Sequence, residues 1–137
     1  MTAVTFTSVR PYSTATVTDL VSCGATVGAG QTVYIDTAAS NVAKLADNNA
    51  SAATAVVKGV ALTAGVSSEA VIVATSGPIV LVGASMTVGA TYYQGATAGE
   101  IVPESDLATN NYVSRLGIAE TSTRLNLTIV NTGVLHA

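Results

Sequence analysis

The sequence predicts an all-β protein: a small β-barrel or two-sheet sandwich built from two tandem pseudo-repeats, with an extended N-terminal arm. Three observations carry that reading. Short runs rich in Val, Ile, Thr and Tyr recur along the chain, and these side chains suit a pleated surface. Glycines punctuate the runs, among them Gly28, Gly30, Gly65, Gly77, Gly83, Gly89, Gly95, Gly99 and Gly133, as turns would require. The same unit also occurs twice, and a repeat decides architecture before any single element does.

Gly24-Ala25-Thr26 opens the first copy and Gly83-Ala84-Ser85 opens the second, 59 residues later. That offset pairs Gly30 with Gly89, Thr32 with Thr91, Tyr34 with Tyr93, Val42 with Ile101 and Asp47 with Asp106. At an offset of 58, Gly59-Val60-Ala61 falls on Gly117-Ile118-Ala119 and Thr63 on Thr121. At 56, Val71, Val73 and Gly77 meet Leu127, Ile129 and Gly133. The organisation that follows is an arm over 1–18 and one β domain over 19–137, with copies at about 19–77 and 78–137. Units of that length are marginal alone, so the halves are expected to share one core.

In chain order, strands are expected at 31–36, 41–46, 56–63, 69–75, 78–82, 91–94, 100–102, 112–119 and 124–129. The last of these alternates apolar and polar residues strictly, the mark of a strand with one face inward. The runs at 69–75 and 78–82 are continuously apolar and read as covered on both faces. Asp47 precedes Ala-rich sequence and predicts a single helical turn over 47–53. Its counterpart at 106–111 predicts a turn or a 3₁₀ piece, and Pro103 should end the strand before it.

Composition bounds what the fold can do. Only 9% of the 137 residues are charged while 49% are apolar, mostly Ala and Val, so much of the surface must be neutral. A small domain with such a surface is expected to bury part of it against copies of itself or a partner. The net charge is −3, and the five cations Arg10, Lys44, Lys58, Arg115 and Arg124 are scattered, which argues against direct nucleic-acid binding. No run is long enough to span a membrane, and no signal peptide or anchor is expected. The one cysteine, Cys23, has no intramolecular partner, which fits folding in a reducing cytoplasm.

No catalytic constellation emerges. Cys23 has only His136, beside the chain end, as a possible base. Two such ligands do not make a tetrahedral zinc site, and no other metal or cofactor is expected. The 24–30 segment is glycine-rich, but it opens a strand and lacks the Gly-Lys-Ser/Thr ending, so a hairpin turn accounts for it better than phosphate binding. Glu100, Glu104 and Asp106 form the one acidic cluster; without Trp platforms or calcium-loop spacing it reads as a solvated loop. The chain is therefore expected to be a structural or binding module and not an enzyme.

A family resemblance gives that expectation a direction. Gly83-Ala84-Ser85-Met86-Thr87-Val88-Gly89-Ala90-Thr91-Tyr92-Tyr93, then Ala98-Gly99-Glu100-Ile101-Val102-Pro103, Asp106-Leu107-Ala108-Thr109 and Leu116-Gly117-Ile118-Ala119 form the pattern, with Gly59-Val60-Ala61-Leu62 upstream. Over about 55–137 the chain resembles the head decoration, or cement, proteins of tailed bacteriophages. The resemblance implies a structural virion protein, made in the bacterial host cytoplasm, that binds the outer surface of a capsid and stabilises it. Its partners would be the major capsid protein and other copies of itself, a trimer before a dimer. A tail-fibre or tail-associated module that binds a receptor or carbohydrate is the alternative.

The N-terminal arm carries no such motif. It lies outside both copies, so no internal strand is reserved for it, yet Val4, Phe6, Val9 and Tyr12 are apolar or aromatic. A disordered tail is poorer in such residues. These four, with Arg10 reaching a carboxylate, are the expected partner interface, ordered by addition to a neighbouring copy or a capsid subunit.

Overall fold

The computed structural model describes residues 3–136. Ten strands carry it: β1 (Ser8–Pro11), β2 (Val17–Ser22), β3 (Thr32–Asp36), β4 (Val42–Leu45), β5 (Gly59–Ala61), β6 (Ala70–Val82), β7 (Thr91–Gln94), β8 (Ile101–Pro103), β9 (Tyr112–Ala119) and β10 (Arg124–Leu135). Single 3₁₀ turns at Thr37–Ala39 and Glu104–Asp106 follow β3 and β8. The protein is all-β, a curled antiparallel sheet in the order β4-β3-β5-β6-β10-β9-β7-β8, with β1 and β2 also paired to β6.

β6 is the spine. Its first half pairs with β2 on one edge and β5 on the other; its second half pairs with β1 and β10. The changeover falls at Gly77, whose φ of +88° is left-handed and whose missing Cβ leaves room for the Ala15 carbonyl. Two expected strands, 69–75 and 78–82, are thus one strand of two halves. Neither half is fully covered on both faces: Val71, Val73, Ile79 and Leu81 are buried, while Ile72 in the first half and Val82 in the second face solvent.

This division separates two lobes that share a pairing plan. Thr32 opposes Val60 and Val33 opposes Gly59; in the second lobe Thr91 opposes Ile118 and Tyr92 opposes Gly117. Gly30 N–H donates to the Ala61 carbonyl at 2.7 Å, and Gly89 N–H to the Ala119 carbonyl at 2.8 Å. Thr63 Oγ1 accepts the Ile72 N–H at 3.0 Å, and Thr121 Oγ1 accepts the Arg124 N–H at 3.0 Å. Tyr34 and Tyr93 are each the third residue of their strand. The last offset needs correction. Val60 opposes Ala74 and Ile118 opposes Asn126, so the two final strands align 52 residues apart and not 56. The cause is the hairpin connection: residues 62–72 lie between the paired Ala61 and Val73, but only 120–124 lie between the paired Ala119 and Leu125.

The cores are two where one was expected. Cys23, Val27, Val33, Ala43, Ala61, Val71 and Val73 fill the first lobe. Ile79, Leu81, Met86, Tyr92, Ile101, Leu116, Leu125 and Leu127 dominate a larger cluster in the second, to which Ala46, Val57, Val60 and Ala74 also contribute. A buried polar staple joins the lobes. The Thr32 hydroxyl donates to Gln94 Oε1, Gln94 Nε2 donates to the Ala46 carbonyl at 2.8 Å, and Asn48 Nδ2 donates to the Gln94 carbonyl at 2.8 Å. These bonds satisfy most of the buried polar atoms, as an interior position demands, while Asn48 Oδ1 is left without a partner among the described residues.

Local expectations near Asp47 also change. No helical turn forms at 47–53; Asp47 Oδ1 instead accepts the N–H groups of Asn49 and Ala50, an Asx turn that competes with helix. Pro103 ends β8 as expected.

Candidate functional site

The arm is where sequence and structure differ most. β1 pairs with the spine, Ser8 opposite Val82 through Pro11 opposite Ile79, and β2 continues along the same edge. Val4 N–H donates to the Ile101 carbonyl of β8 at 2.8 Å, bringing the N-terminal segment against the far end of the sheet. Val4, Phe6 and Val9 are half-buried against the larger core, and the Phe6 ring occupies the space a Cβ on Gly30 would take. The expectation of an arm without an internal partner strand is therefore corrected. Its alternation was weak because β1 is only four residues long, and its partner lies about seventy residues away.

The five residues named from the sequence consequently divide. Val4, Phe6 and Val9 turn inward against the larger core, Val9 from β1 and Val4 and Phe6 from the segment before it. Arg10 and Tyr12 turn outward, and Tyr12 keeps 50% of its surface exposed. A residue that sequence reasoning left among scattered cations joins them: the Arg124 guanidinium lies 4.3 Å from the centroid of the Tyr12 ring. Arg124 Nε also donates to Glu120 Oε1 at 3.0 Å. No sequence signal links Tyr12 to Arg124, because only the spine between them brings β1 and β10 together.

The outer face across β1, β6 and β10 follows from the registers. Val80 opposes Arg10 on one side and Arg124 on the other, so the three side chains form one cross-strand row. Val82, two residues along β6, and Ile118, opposite Asn126, share the face and stay partly exposed. Of the five cations, Lys44 pairs with Asp36 at 2.8 Å, Lys58 with Asp19 at 3.4 Å and Arg124 with Glu120, while Arg115 donates to the Thr128 carbonyl at 3.4 Å. Arg10 alone has no polar or ring partner among the described residues.

The structure also places the other residues singled out from the sequence. The Cys23 thiol is buried, and burial with the nearby Glu69 carboxylate pushes its pKa up, away from a reactive thiolate. In the 24–30 segment the Gly28 N–H is taken by Gln31 Oε1 at 2.7 Å, and the stretch leads into β3 as a turn. Glu104 and Asp106 lie on a 3₁₀ turn at the end of β8, and no group of three metal-ligating residues exists among the described residues. A groove of about 170 Å³ beside Val4, Thr87 and Tyr92 is below the usual size of a small-molecule site. An open cleft of about 490 Å³ over Cys23 and Lys44 offers no free charge, since Lys44 is committed to Asp36. Among the described residues no helix is long and apolar enough to cross a membrane.

No family model matches the sequence, and no curated protein or solved structure matches it either.

Proposed function

We propose that this is a structural virion protein that binds the outside of a tailed-phage capsid and stabilises it. One observation carries the reading. Large apolar side chains stay exposed across both lobes, Leu20 at 69% and Val88 at 65% among them. That surface suits protein–protein contact. Of the stretches that resemble cement proteins, those from Gly83 to Tyr93, around Ile101 and from Leu116 to Ala119 lie in the second lobe, and Gly59 to Leu62 lies on and after β5 of the first.

The mechanism is linkage. A protein that binds only the assembled, expanded shell stabilises that state by the free energy of binding. Contact with several subunits at once, from a trimer of this chain, multiplies modest contacts into durable attachment. Cosedimentation with expanded empty capsids of the encoding phage tests the reading. The bound fraction should saturate at a fixed ratio to capsid subunits, and decorated capsids should withstand heating that opens bare ones. Wild-type protein that stays in the supernatant would overturn the proposal.

A further inference from the structure

We propose that the outer face of β1, β6 and β10 is the capsid-docking surface and that it receives a carboxylate-bearing protein surface. The inference rests on the capsid-binding reading and names the side of the molecule that performs it.

The geometry is specific. Arg10 and Arg124 stand in one row on either side of Val80, roughly 10 Å apart at the backbone by strand spacing. Tyr12 holds the Arg124 guanidinium against its ring and Glu120 fixes its Nε, so one cation is pre-oriented while the other is unengaged. Val82 and Ile118, 37% and 42% exposed, flank the row and supply apolar contact. Tyrosine and arginine around aliphatic side chains are the composition of interface hot spots.

Charge selects the occupant. Glu120, the acidic group in the constellation, is already neutralised by Arg124, so the face presents the uncompensated charge of Arg10 on a chain of net charge −3. A second copy docking with its two-fold axis through this row would set Arg10 near Arg10, and like charges brought together oppose that contact. Carboxylates on a different protein complement the face. An arginine fork would take such a carboxylate through two parallel N–H donors.

The test compares wild type, Arg10→Glu, Tyr12→Ala and Val66→Ser by cosedimentation with the same capsids. Val66 is exposed on the 62–69 loop of the other lobe and serves as the control for losing one apolar side chain. Arg10→Glu should weaken binding by about a hundredfold and Tyr12→Ala by about tenfold, with Val66→Ser unchanged. Wild-type affinity should fall with added salt, and the Arg10→Glu variant should lose much of that dependence. Circular dichroism and melting of each variant exclude unfolding as the cause, since both side chains lie outside the core. Wild-type binding that Arg10→Glu and Tyr12→Ala leave intact would overturn this inference and spare the capsid reading. A change of oligomeric state in Arg10→Glu without loss of capsid binding would also overturn it, marking the face as a self-interface. Failure of wild type to bind would remove both.

Discussion

The first lobe is filled by valines, alanines and one cysteine; the second by leucines, isoleucines, a methionine and a tyrosine. The pairing plan is common to both, and the way each curl meets its far edge differs. In the first lobe Cys23 bridges directly to Ala43, joining the end of β2 to β4. In the second, the corresponding stretch of β6 does not meet β8; β1 and the residues before it stand between them, with Val4 bonded to Ile101. A curl of more strands has a wider interior. Five strands surround the small side chains and six surround the large ones. The N-terminal segment is thus the added staff that lets a common plan hold a bigger core, and its outward side chains Arg10 and Tyr12 come to the surface for the same reason.

Core truncation should separate the lobes most. Leu125→Ala removes a fully buried leucine from the larger core and should cost about 2–5 kcal/mol. Val73→Ala in the smaller core should cost less, roughly 0.5–3 kcal/mol, read from urea midpoints at constant slope. Equal costs would mean that the two interiors are not distinct in the way described.

Two glycines probe what the lobes share. A Cβ on Gly59 would run into the Ala74 carbonyl, and one on Gly117 into the Asn126 carbonyl, so backbone must move in either case. Gly59→Ala and Gly117→Ala should each destabilise by about 1–3 kcal/mol, and by similar amounts. If only one of them is damaging, the shared pairing plan does not carry shared energetics.

Smaller effects are expected at the hairpins. Thr63→Val and Thr121→Val each remove a hydroxyl that accepts a backbone N–H at 3.0 Å, a loss of about 0.5–1.5 kcal/mol apiece. The Thr121 change should be the larger, because its loop is shorter and Thr121 also accepts the Thr123 N–H. Reversal of that order would show the longer loop to be the more dependent one.

The smallest effect is a pH response confined to the first lobe. The Lys44 ammonium, hydrogen-bonded at 2.8 Å, holds the Asp36 carboxyl below the usual carboxylate range, and Asp36 in turn raises the Lys44 pKa. The folded state binds the Asp36 proton less tightly than the unfolded chain. This contribution is therefore present above about pH 4 and is lost as pH falls through the lowered value. For Lys44 it is present below about pH 10.5 and lost as pH rises through the raised value. The equivalent sites in the second lobe are Gly95 and Pro103, which do not titrate. Amide exchange at pH 3 should loosen β3 and β4 before β7 and β8, and Lys44→Met should abolish the difference. Simultaneous loosening of both pairs would contradict it.

Residue patterning by itself determined the all-β class, most strand positions and the turn glycines, because these follow from local periodicity and backbone freedom. Tertiary structure alone decided three things. It joined two apolar runs into one spine, because a strand can exchange its neighbours at a left-handed glycine without ending. It gave the N-terminal arm an internal partner, since a four-residue strand carries too little alternation to announce pairing with residues some seventy positions away. And it brought Tyr12 against Arg124 across that spine, a contact that depends on register between strands and leaves no trace in the local order of residues.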